Sequence, residues 1–228
     1  MIARWLVAAA VLVAAPAQAD SLQDQVAAGV RAANTADVGF TQTTRVERTG
    51  SAAKTYVTRY DPRGPAANRW TLLSVDGRTP TPKETAEVLK SAKASPAPSY
   101  ARLGKWIGAP ATRIAQAPGS VTYRFARLPD GVVKMGSHDG SADTAAEVLV
   151  NTSGKMPYVE RVRFTSAKPF RMMLVAKVDR YVFTSSYALL PDGRPFPNGV
   201  DADMTGSLLG KAGTMTTRTR YADVHAAR

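Results

Sequence analysis

The sequence predicts an α+β protein that is mostly β: a large, curved antiparallel sheet, an unclosed half-barrel of about ten or eleven strands, covered by a few helices that act as a lid. Residues 156–190 contain two long runs, 157–165 and 170–189, in which apolar and polar side chains alternate. Turn signals rich in Gly, Pro and Asp separate shorter alternating runs along most of the chain. Helical spacing is confined to two regions, so strands must supply most of the structure.

The first nineteen residues predict a secretory signal peptide. Arg4 precedes an apolar run over residues 6–15, and the small residues Ala17-Gln18-Ala19 follow. This order is typical of a cleaved signal, and the run is shorter than the about 20 residues that span a bilayer. We therefore expect a signal peptide at 1–19 that is cleaved after Ala19, export to the periplasm, and one domain over residues 20–228.

The composition limits the classes of protein to which this chain can belong. The formal net charge is +12, and there is no cysteine. Lack of cysteine excludes a disulfide scaffold and a lipid anchor on Cys. Positive charge favours anionic partners, and scattered arginines are typical either of a solvated sheet face or of a surface that meets lipid headgroups. No nucleic-acid-binding motif accompanies them.

The chain after residue 20 begins with a helix and then changes to strands. Leu22, Val26 and Val30 recur at helical spacing, which predicts an amphipathic helix to about Ala33, with Ser21 as its N-cap. From Val38 the period changes to two. The pattern predicts three strands at 38–48, 53–61 and 68–75.

Two helical pieces interrupt the strands. Thr81, Pro82 and Glu84 form a capping box with proline in the first turn, which is a strong helix start. A second, shorter helix is expected over 99–107, where Leu103 and Trp106 lie on one side. Each piece presents apolar groups in one direction, and we expect both to cover the sheet. The apolar side of the first piece consists of Val88, Leu89 and Ala92.

The β pattern returns after Pro110 and continues to the last residues. Within the run 170–189, period two places Val178 and Val182 on one face with Met172, Leu174 and Ala176, and Tyr181 on the other. Residues 136–143 form a polar loop. The expected strands lie at 111–116, 120–128, 145–151, 157–165, 170–189, 202–209 and 214–224.

The inventory of catalytic groups is small. Only His138 and His225 could serve as an imidazole base, and no G-x-S-x-G motif is present. Ser137 and Asp139 flank His138, which leaves a hydrolase at this loop as a minor alternative to an ordinary polar turn. We therefore expect no enzyme, no metal site and no cofactor.

An apolar cavity is the remaining candidate for function. If the sheet curves and the helices cover its concave face incompletely, an apolar pocket forms between them. The alternative is a closed core, in which the same side chains only pack against each other. The candidate lining residues are Phe40, Trp70, Leu72, Leu89, Leu103, Trp106, Phe125, Met172 and Leu174.

The layout resembles the periplasmic outer-membrane lipoprotein carrier family, the LolA/LolB-like proteins. The resemblance rests on the signal and amphipathic helix, on Phe40-Thr41-Gln42 at the start of the sheet, and on the turn Arg63-Gly64-Pro65 before Trp70. A helical interruption of the sheet and a long β run complete it. The layout covers most of the chain after the signal, whereas the short motifs cover its first third.

The resemblance implies an eleven-stranded, unclosed barrel whose helical lid holds the acyl chains of lipoproteins. In that family an arginine near the third strand helps to latch the lid, and Arg63 and Arg69 are the two candidates here. The segments 130–145 and 191–202 look like insertions relative to the family. The lack of a Cys anchor is similar to the carrier rather than to the anchored receptor.

The first hypothesis is therefore a soluble, monomeric periplasmic carrier that shields the acyl chains of a lipoprotein or another lipid. Its partners would be lipid or lipoprotein acyl chains and partner proteins of the inner and outer membranes, with a role in lipoprotein transport. The alternative is an envelope scaffold that binds anionic membrane surfaces or a protein partner through its basic sheet.

Overall fold

The structure is a computed structural model that describes residues 20–33, 35–94, 97–135, 138–173 and 176–226. The predicted signal peptide at 1–19 and the candidate lining residue Leu174 lie outside these ranges. Met172 belongs to a strand, but its side chain also lies outside the description.

Strands dominate the chain, as predicted. The helices are α1 (Ser21–Ala32), α2 (Pro82–Ala94) and the short 3₁₀ helices Ala66–Asn68, Tyr100–Lys105 and Ser141–Asp143. We call the second of these the Tyr100 helix. The strands are β1 (Val38–Arg48), β2 (Ser51–Tyr60), β3 (Trp70–Val75), β4 (Thr112–Ala117), β5 (Ser120–Phe125), β6 (Lys134–Met135), β7 (His138–Asp139), β8 (Thr144–Asn151), β9 (Tyr158–Ser166), β10 (Phe170–Met173), β11 (Ala176–Leu189), β12 (Pro195–Leu208) and β13 (Lys211–Ala226).

One large antiparallel sheet contains eleven of these strands, in the order β3-β2-β1-β13-β12-β11-β9-β8-β5-β4, with β10 paired to β11. Strands β3 and β4 are the two edges, and they do not pair with each other in the part of the chain that the structure describes. The sheet is therefore not closed into a barrel, and the predicted fold class is confirmed. β6 and β7 form a separate ribbon.

The caps of the two α-helices differ in how well the sequence predicted them. At α2 the predicted box is present: Thr81 N–H donates to Glu84 Oε2 at 2.9 Å, and Glu84 N–H donates to Thr81 Oγ1 at 3.3 Å. At α1 the predicted cap Ser21 is wrong. Asp20 caps the helix instead, because its carboxylate accepts the N–H groups of Leu22 and Gln23.

The predicted single strand over 170–189 is also wrong. β10 folds back on the start of β11, with Phe170 opposite Val178, while β9 pairs with the later part of β11. A register shift between Val178 and Arg180 inserts one extra residue, which exchanges the faces of the strand. Val178 and Tyr181 are therefore both buried, although strict alternation placed them on opposite faces.

Residues 195–201 belong to β12, whereas the sequence pattern predicts this strand only over 202–209. Pro195 is the first residue of β12, and Pro197 lies at a register shift against Tyr187. Proline is tolerated at both kinds of position, although it usually argues against a central strand. The suggested insertion at 130–145 contains β6, β7 and the third 3₁₀ helix.

The two halves of the sheet are covered differently. We call β4, β5, β8 and β9 the filled half, because α1 and the Tyr100 helix pack on it to form the main core. We call β1, β2, β3, β12 and β13 the open half, and α2 packs beside it against β3. β11 joins the two halves. Fully buried side chains of the filled half include Phe125, Val148, Val150, Val159 and Val162.

One cross-strand row shows how the inner face changes between the halves. It runs from Thr44 through Thr219 to Val200 in the open half and then crosses β11 at Ser185. In the filled half it continues through Val162 and Val148, both of which are 0% exposed. The same face thus carries hydroxyls at one end and closely packed valines at the other.

Candidate functional site

A cavity of about 830 Å³ lies over the open half and β11. Strands form its floor, and α2, the Tyr100 helix and the loop before β6 form its walls and roof. The volume is within the roughly 300–1,000 Å³ of sites that bind small molecules. The expected space between sheet and helices is therefore present.

The floor combines hydroxyls and rings. Gln42 Nε2 donates to Thr44 Oγ1 at 3.0 Å, and Thr44 Oγ1 lies 3.1 Å from Thr219 Oγ1, so these polar groups satisfy each other. Phe183 and Tyr187 of β11 add aromatic surface. A ligand on this floor can make apolar contacts without leaving the strand hydroxyls unpaired.

The Tyr100 helix supplies one wall. The helix spans Tyr100–Lys105, and Trp106 follows it directly as its C-cap. Leu103 and Trp106 are buried, and both line the cavity. The Trp106 ring makes T-shaped contacts with Phe125 and Phe164, and the distances between ring centroids are 5.0 Å and 5.5 Å. These contacts fix the wall to the filled half.

Charged groups stand at the mouth of the cavity. Arg102, Lys105 and Lys134 line it and are also exposed to solvent, and Glu87 is the one acid among the described lining residues. None of these four forms an ion pair within the described ranges of the chain. The mouth is therefore net positive.

Two tyrosines, Tyr187 and Tyr221, line the same cavity. Burial raises the pKa of each phenol to about 12; a hydrogen bond with Ser185 opposes the rise at Tyr187, and the Arg102 charge opposes part of both rises. Both phenols are consequently protonated near neutral pH and can donate hydrogen bonds. Arg102 and these hydroxyls thus form a group of donors beside apolar surface.

Of the predicted lining residues, Trp70, Leu103 and Trp106 line the cavity. Phe40, Leu72 and Phe125 are instead buried beside it, where they support the lining. Leu89 is half-buried on α2, but its neighbour Val88 provides the contact with the cavity. The rings that surround Phe40 are those of Tyr60, Trp70, Phe196 and Tyr221.

The two candidate latch arginines bond within their own turn. Arg63 donates to both carboxylate oxygens of Asp61 at 3.0 Å, and its side chain is 61% exposed. Arg69 Nε donates to the Gly64 carbonyl oxygen at 3.1 Å. Within the described chain neither has a hydrogen bond to α2. The start of α2 is held by Arg78, which pairs with Glu84 at 2.6 Å.

Sequence reasoning missed the charged and phenolic groups of the site. Arg102 and Lys105 have the same three-residue spacing as Leu103 and Trp106, so a 3₁₀ reading of 100–105 would have placed both cations on one side. Tyr187 and Tyr221 come from strands far apart in the sequence. No local signal brings these two residues together.

His138 does not line the cavity, although it belongs to β7, which pairs with β6 next to the lining residue Lys134. Its imidazole stacks on Phe170 with 4.0 Å between ring centroids, and Asp139 accepts hydrogen bonds from Ser141 and from Gly131 N–H. Ser137 lies outside the described residues. Among the residues that the structure describes, no group of three His, Cys, Asp or Glu could hold a metal ion.

No protein-family model matches this chain, and no curated protein matches it either. Among solved structures, the chain is similar to the crystal structure of a LolA superfamily protein from Nitrosomonas europaea. The two share 13% identity with a TM-score of 0.34, over 90% of this chain and 93% of that one. A likeness at this level carries no argument about family or function.

None of the described helices has the length and apolar character needed to cross a membrane.

Proposed function

We propose that this protein is a non-enzymatic carrier that shields an acyl chain of a lipid or lipoprotein in the cavity between its sheet and its helices. The observation that carries this proposal is the cavity of about 830 Å³ with rings and aliphatic groups along its floor and wall. Neither His138 nor His225 lines it, so no imidazole base adjoins the bound chain.

The physical basis is burial of hydrocarbon. Each methylene that leaves water contributes about 0.8 kcal/mol, so a chain of ten or more carbons can bind without any directional contact. Leu103, Trp106 and Phe183 supply a continuous apolar lining for such a chain. The entropy lost on binding reduces the net affinity, and micromolar binding remains feasible.

The cover over the open half is slight, which suits reversible loading. α2 packs against the edge strand β3, and its residues are exposed or only half-buried wherever their burial is described. Val88 and Ala92 face the cavity. A helix with so little buried surface can move away at a small cost in free energy, because few apolar contacts are lost.

A binding experiment on α2 tests the proposal. We expect the purified protein to take up a fluorescent fatty acid and to release lipid on extraction, as detected by native mass spectrometry. Val88→Asp should weaken uptake at least tenfold, because it places a carboxylate in the cavity. Ala86→Asp, on the exposed side of the same helix, is the matched control and should bind normally. Failure of the unmodified protein to bind any acyl probe would reject the carrier function.

Action in the periplasm is part of the proposal, and it rests on the sequence of residues 1–19. Expression of the full chain in a Gram-negative host, followed by cell fractionation, should recover the protein in the periplasmic extract. Intact-mass measurement should then find Asp20 as the first residue. Recovery in the cytoplasm with residues 1–19 retained would contradict export.

A second candidate function is attachment to anionic membrane surfaces through the outer face of the sheet. Arg161 and Arg163 of β9 and Arg124 of β5 are exposed there, although Glu147 lies opposite both Arg163 and Arg124 in the pairing register. Binding to anionic liposomes that weakens with salt and is lost in Arg161→Gln/Arg163→Gln would favour this function over the carrier.

A further inference from the structure

The mouth of the cavity contains more positive charge than its surroundings neutralise. Arg102 and Lys105 lie on one side of the Tyr100 helix, separated along it by about 6 Å for a 3₁₀ rise of 2 Å per residue. Lys134 reaches the same cavity from the start of β6. Glu87 is the one acidic lining residue within the described ranges, and it is paired with none of the three cations.

The immediate surroundings of Arg102 are suited to an anion. Arg102 lines the cavity together with Tyr187 and Tyr221, whose hydroxyls are protonated, and the Tyr187 hydroxyl already has a hydrogen bond with Ser185. A guanidinium with two nearby O–H donors can share several hydrogen bonds with one carboxylate or phosphate. Apolar groups lie next to this cluster. Leu103 follows Arg102 in the sequence and lines the same cavity, and the ring centroids of Tyr187 and Tyr100 are 5.2 Å apart.

We propose that the ligand of this cavity is an amphiphile with a single anionic headgroup, a carboxylate or a phosphate, which binds between Arg102, the hydroxyls of Tyr187 and Tyr221, and Lys105. The inference rests on the proposed function and adds the chemical class of the headgroup. Lys134 adds positive potential at the mouth, and the tail lies along Leu103, Trp106 and Phe183.

Two alternatives explain the structure less well. A neutral lipid would make no ion pair with Arg102 or Lys105, so it would gain nothing from these two cations. A free inorganic anion would use the donors but leave the aromatic floor exposed to water. A cavity of about 830 Å³ is also in the size range of sites for one small molecule, which favours a compact amphiphile.

Matched ligands with one tail and three heads test the inference. Dodecanoate, dodecanol and dodecyltrimethylammonium are compared below their micellar concentrations by displacement of a fluorescent probe of the cavity. We expect dodecanoate to bind at least tenfold more tightly than the other two, since hydrogen bonds to charged groups are worth roughly tenfold or more in affinity. Dodecyl phosphate should behave like dodecanoate, and inorganic phosphate alone should displace nothing.

Variants locate the headgroup. Arg102→Gln should reduce the affinity for dodecanoate about tenfold or more and leave dodecanol unchanged. Arg59→Gln is the matched control, because Arg59 is exposed and alternates with the cavity residue Thr58 on β2. The preference for dodecanoate should also shrink between low and high salt in the unmodified protein but not in Arg102→Gln.

The outcomes separate this inference from the carrier function. Equal binding of dodecanoate and dodecanol would retain the carrier and overturn the anionic headgroup. Binding of none of the dodecyl ligands would reject both. Displacement of the fluorescent probe by inorganic phosphate at a concentration similar to that of dodecanoate would indicate an anion site to which the hydrocarbon tail contributes nothing, which also overturns the inference. Loss of the preference for dodecanoate in Arg59→Gln would indicate that the headgroup binds on the outer face of the sheet, which also overturns the inference.

Discussion

The filled half and the open half belong to one antiparallel ladder, yet their inner faces carry different residues. Val148, Val159 and Val162 in the filled half meet α1 and the Tyr100 helix with no exposed surface. Thr44, Thr58 and Gln42 in the open half face a cavity. The ladder holds both halves in one frame, and the open half combines a small buried cluster around Phe40 with most of the cavity floor.

This difference between the inner faces indicates that folding stability and ligand binding depend on different residues. Burial of branched aliphatic groups and rings is the main source of folding free energy, and these groups are concentrated in the filled half. Hydroxyls and cations that line a cavity contribute little to folding but leave room and donors for a ligand. We therefore expect substitutions of buried residues in the filled half to change the free energy of unfolding, and substitutions of polar and charged residues that line the cavity to change affinity.

The largest expected effect comes from Phe125, which we compare with Phe183 on the cross-strand row that runs from Phe183 through Phe164 and Ala146 to Phe125. Phe125→Ala should destabilise the protein by about 3–5 kcal/mol, because Phe125 is 0% exposed and packs on Trp106. Phe183→Ala should cost less than half as much, since Phe183 borders the cavity. Urea unfolding gives both values. Equal losses would contradict the distinction between the packed core of the filled half and the lining of the cavity.

A smaller effect is expected from two buried tyrosines whose rings touch. The Tyr100 hydroxyl accepts the Val159 N–H at 2.7 Å, so Tyr100→Phe leaves a buried donor unpaired at a cost of about 1–3 kcal/mol. Tyr187→Phe removes the hydroxyl of a cavity-lining residue that hydrogen-bonds to Ser185, and it should reduce anionic ligand binding with a smaller loss of stability than Tyr100→Phe. Thermal unfolding and ligand titration on both variants check the contrast.

The attachment of α1 should show a dependence on pH. Burial opposes ionisation of Asp20, but its bonds with Tyr123, Gln23 N–H and Arg113 outweigh burial and lower its pKa below 3.8. A lowered pKa stabilises the fold above 3.8, and this contribution is lost as pH falls through the folded-state value. Asp20→Ala should therefore cost about 1 kcal/mol at pH 7 and less in acid.

The control for that measurement is Asp24→Ala, which alters the same helix turn at an exposed position without touching Arg113 or Tyr123. Urea unfolding of both variants and of the parent protein at several pH values provides the comparison. A difference between parent and Asp20→Ala that stays constant down to pH 2 would contradict the role of the carboxylate.

The smallest effect on stability is expected at the cap of α2. Thr81→Ala removes the side chain that accepts Glu84 N–H, but it alters a helix that packs only beside the open half. The melting temperature should hardly change. Amide hydrogen exchange over residues 83–88 and release of the fluorescent fatty acid should both become faster. Ala86→Gly, which also weakens the helix without touching the cap, distinguishes a cap effect from general loss of helicity.

The sequence predicted the elements that depend on local rules. The α2 capping box and most strand boundaries follow from neighbours within four residues. The predicted faces of β11 are wrong because the strand contains a bulge between Val178 and Arg180. The bulge arises from pairing with β12, and the alternation of apolar and polar residues does not reveal it. Ser21 was chosen as a cap although Asp20 has the stronger partners, Arg113 and Tyr123, which come from distant strands.

The candidate site was predicted only in its apolar part. Leu103 and Trp106 follow from helical spacing within one segment. Which apolar residue borders a cavity and which is sealed beside it depends on the neighbouring layer, so Phe40 and Phe125 could not be told apart from Trp70. Tyr187 and Tyr221 join Arg102 only through the strand order, and that order is not a local property.

The pairing of β1 with β13 has a consequence for how the molecule is made. Thr44 and Thr219 are 175 positions apart, yet they are cross-strand neighbours on the cavity floor. Contacts at such separation form slowly, because a long loop must close before they are gained. The cavity floor is therefore completed only when β13 pairs with β1 and β12, and a chain that lacks β13 would leave the inner faces of β1 and β12 open to solvent.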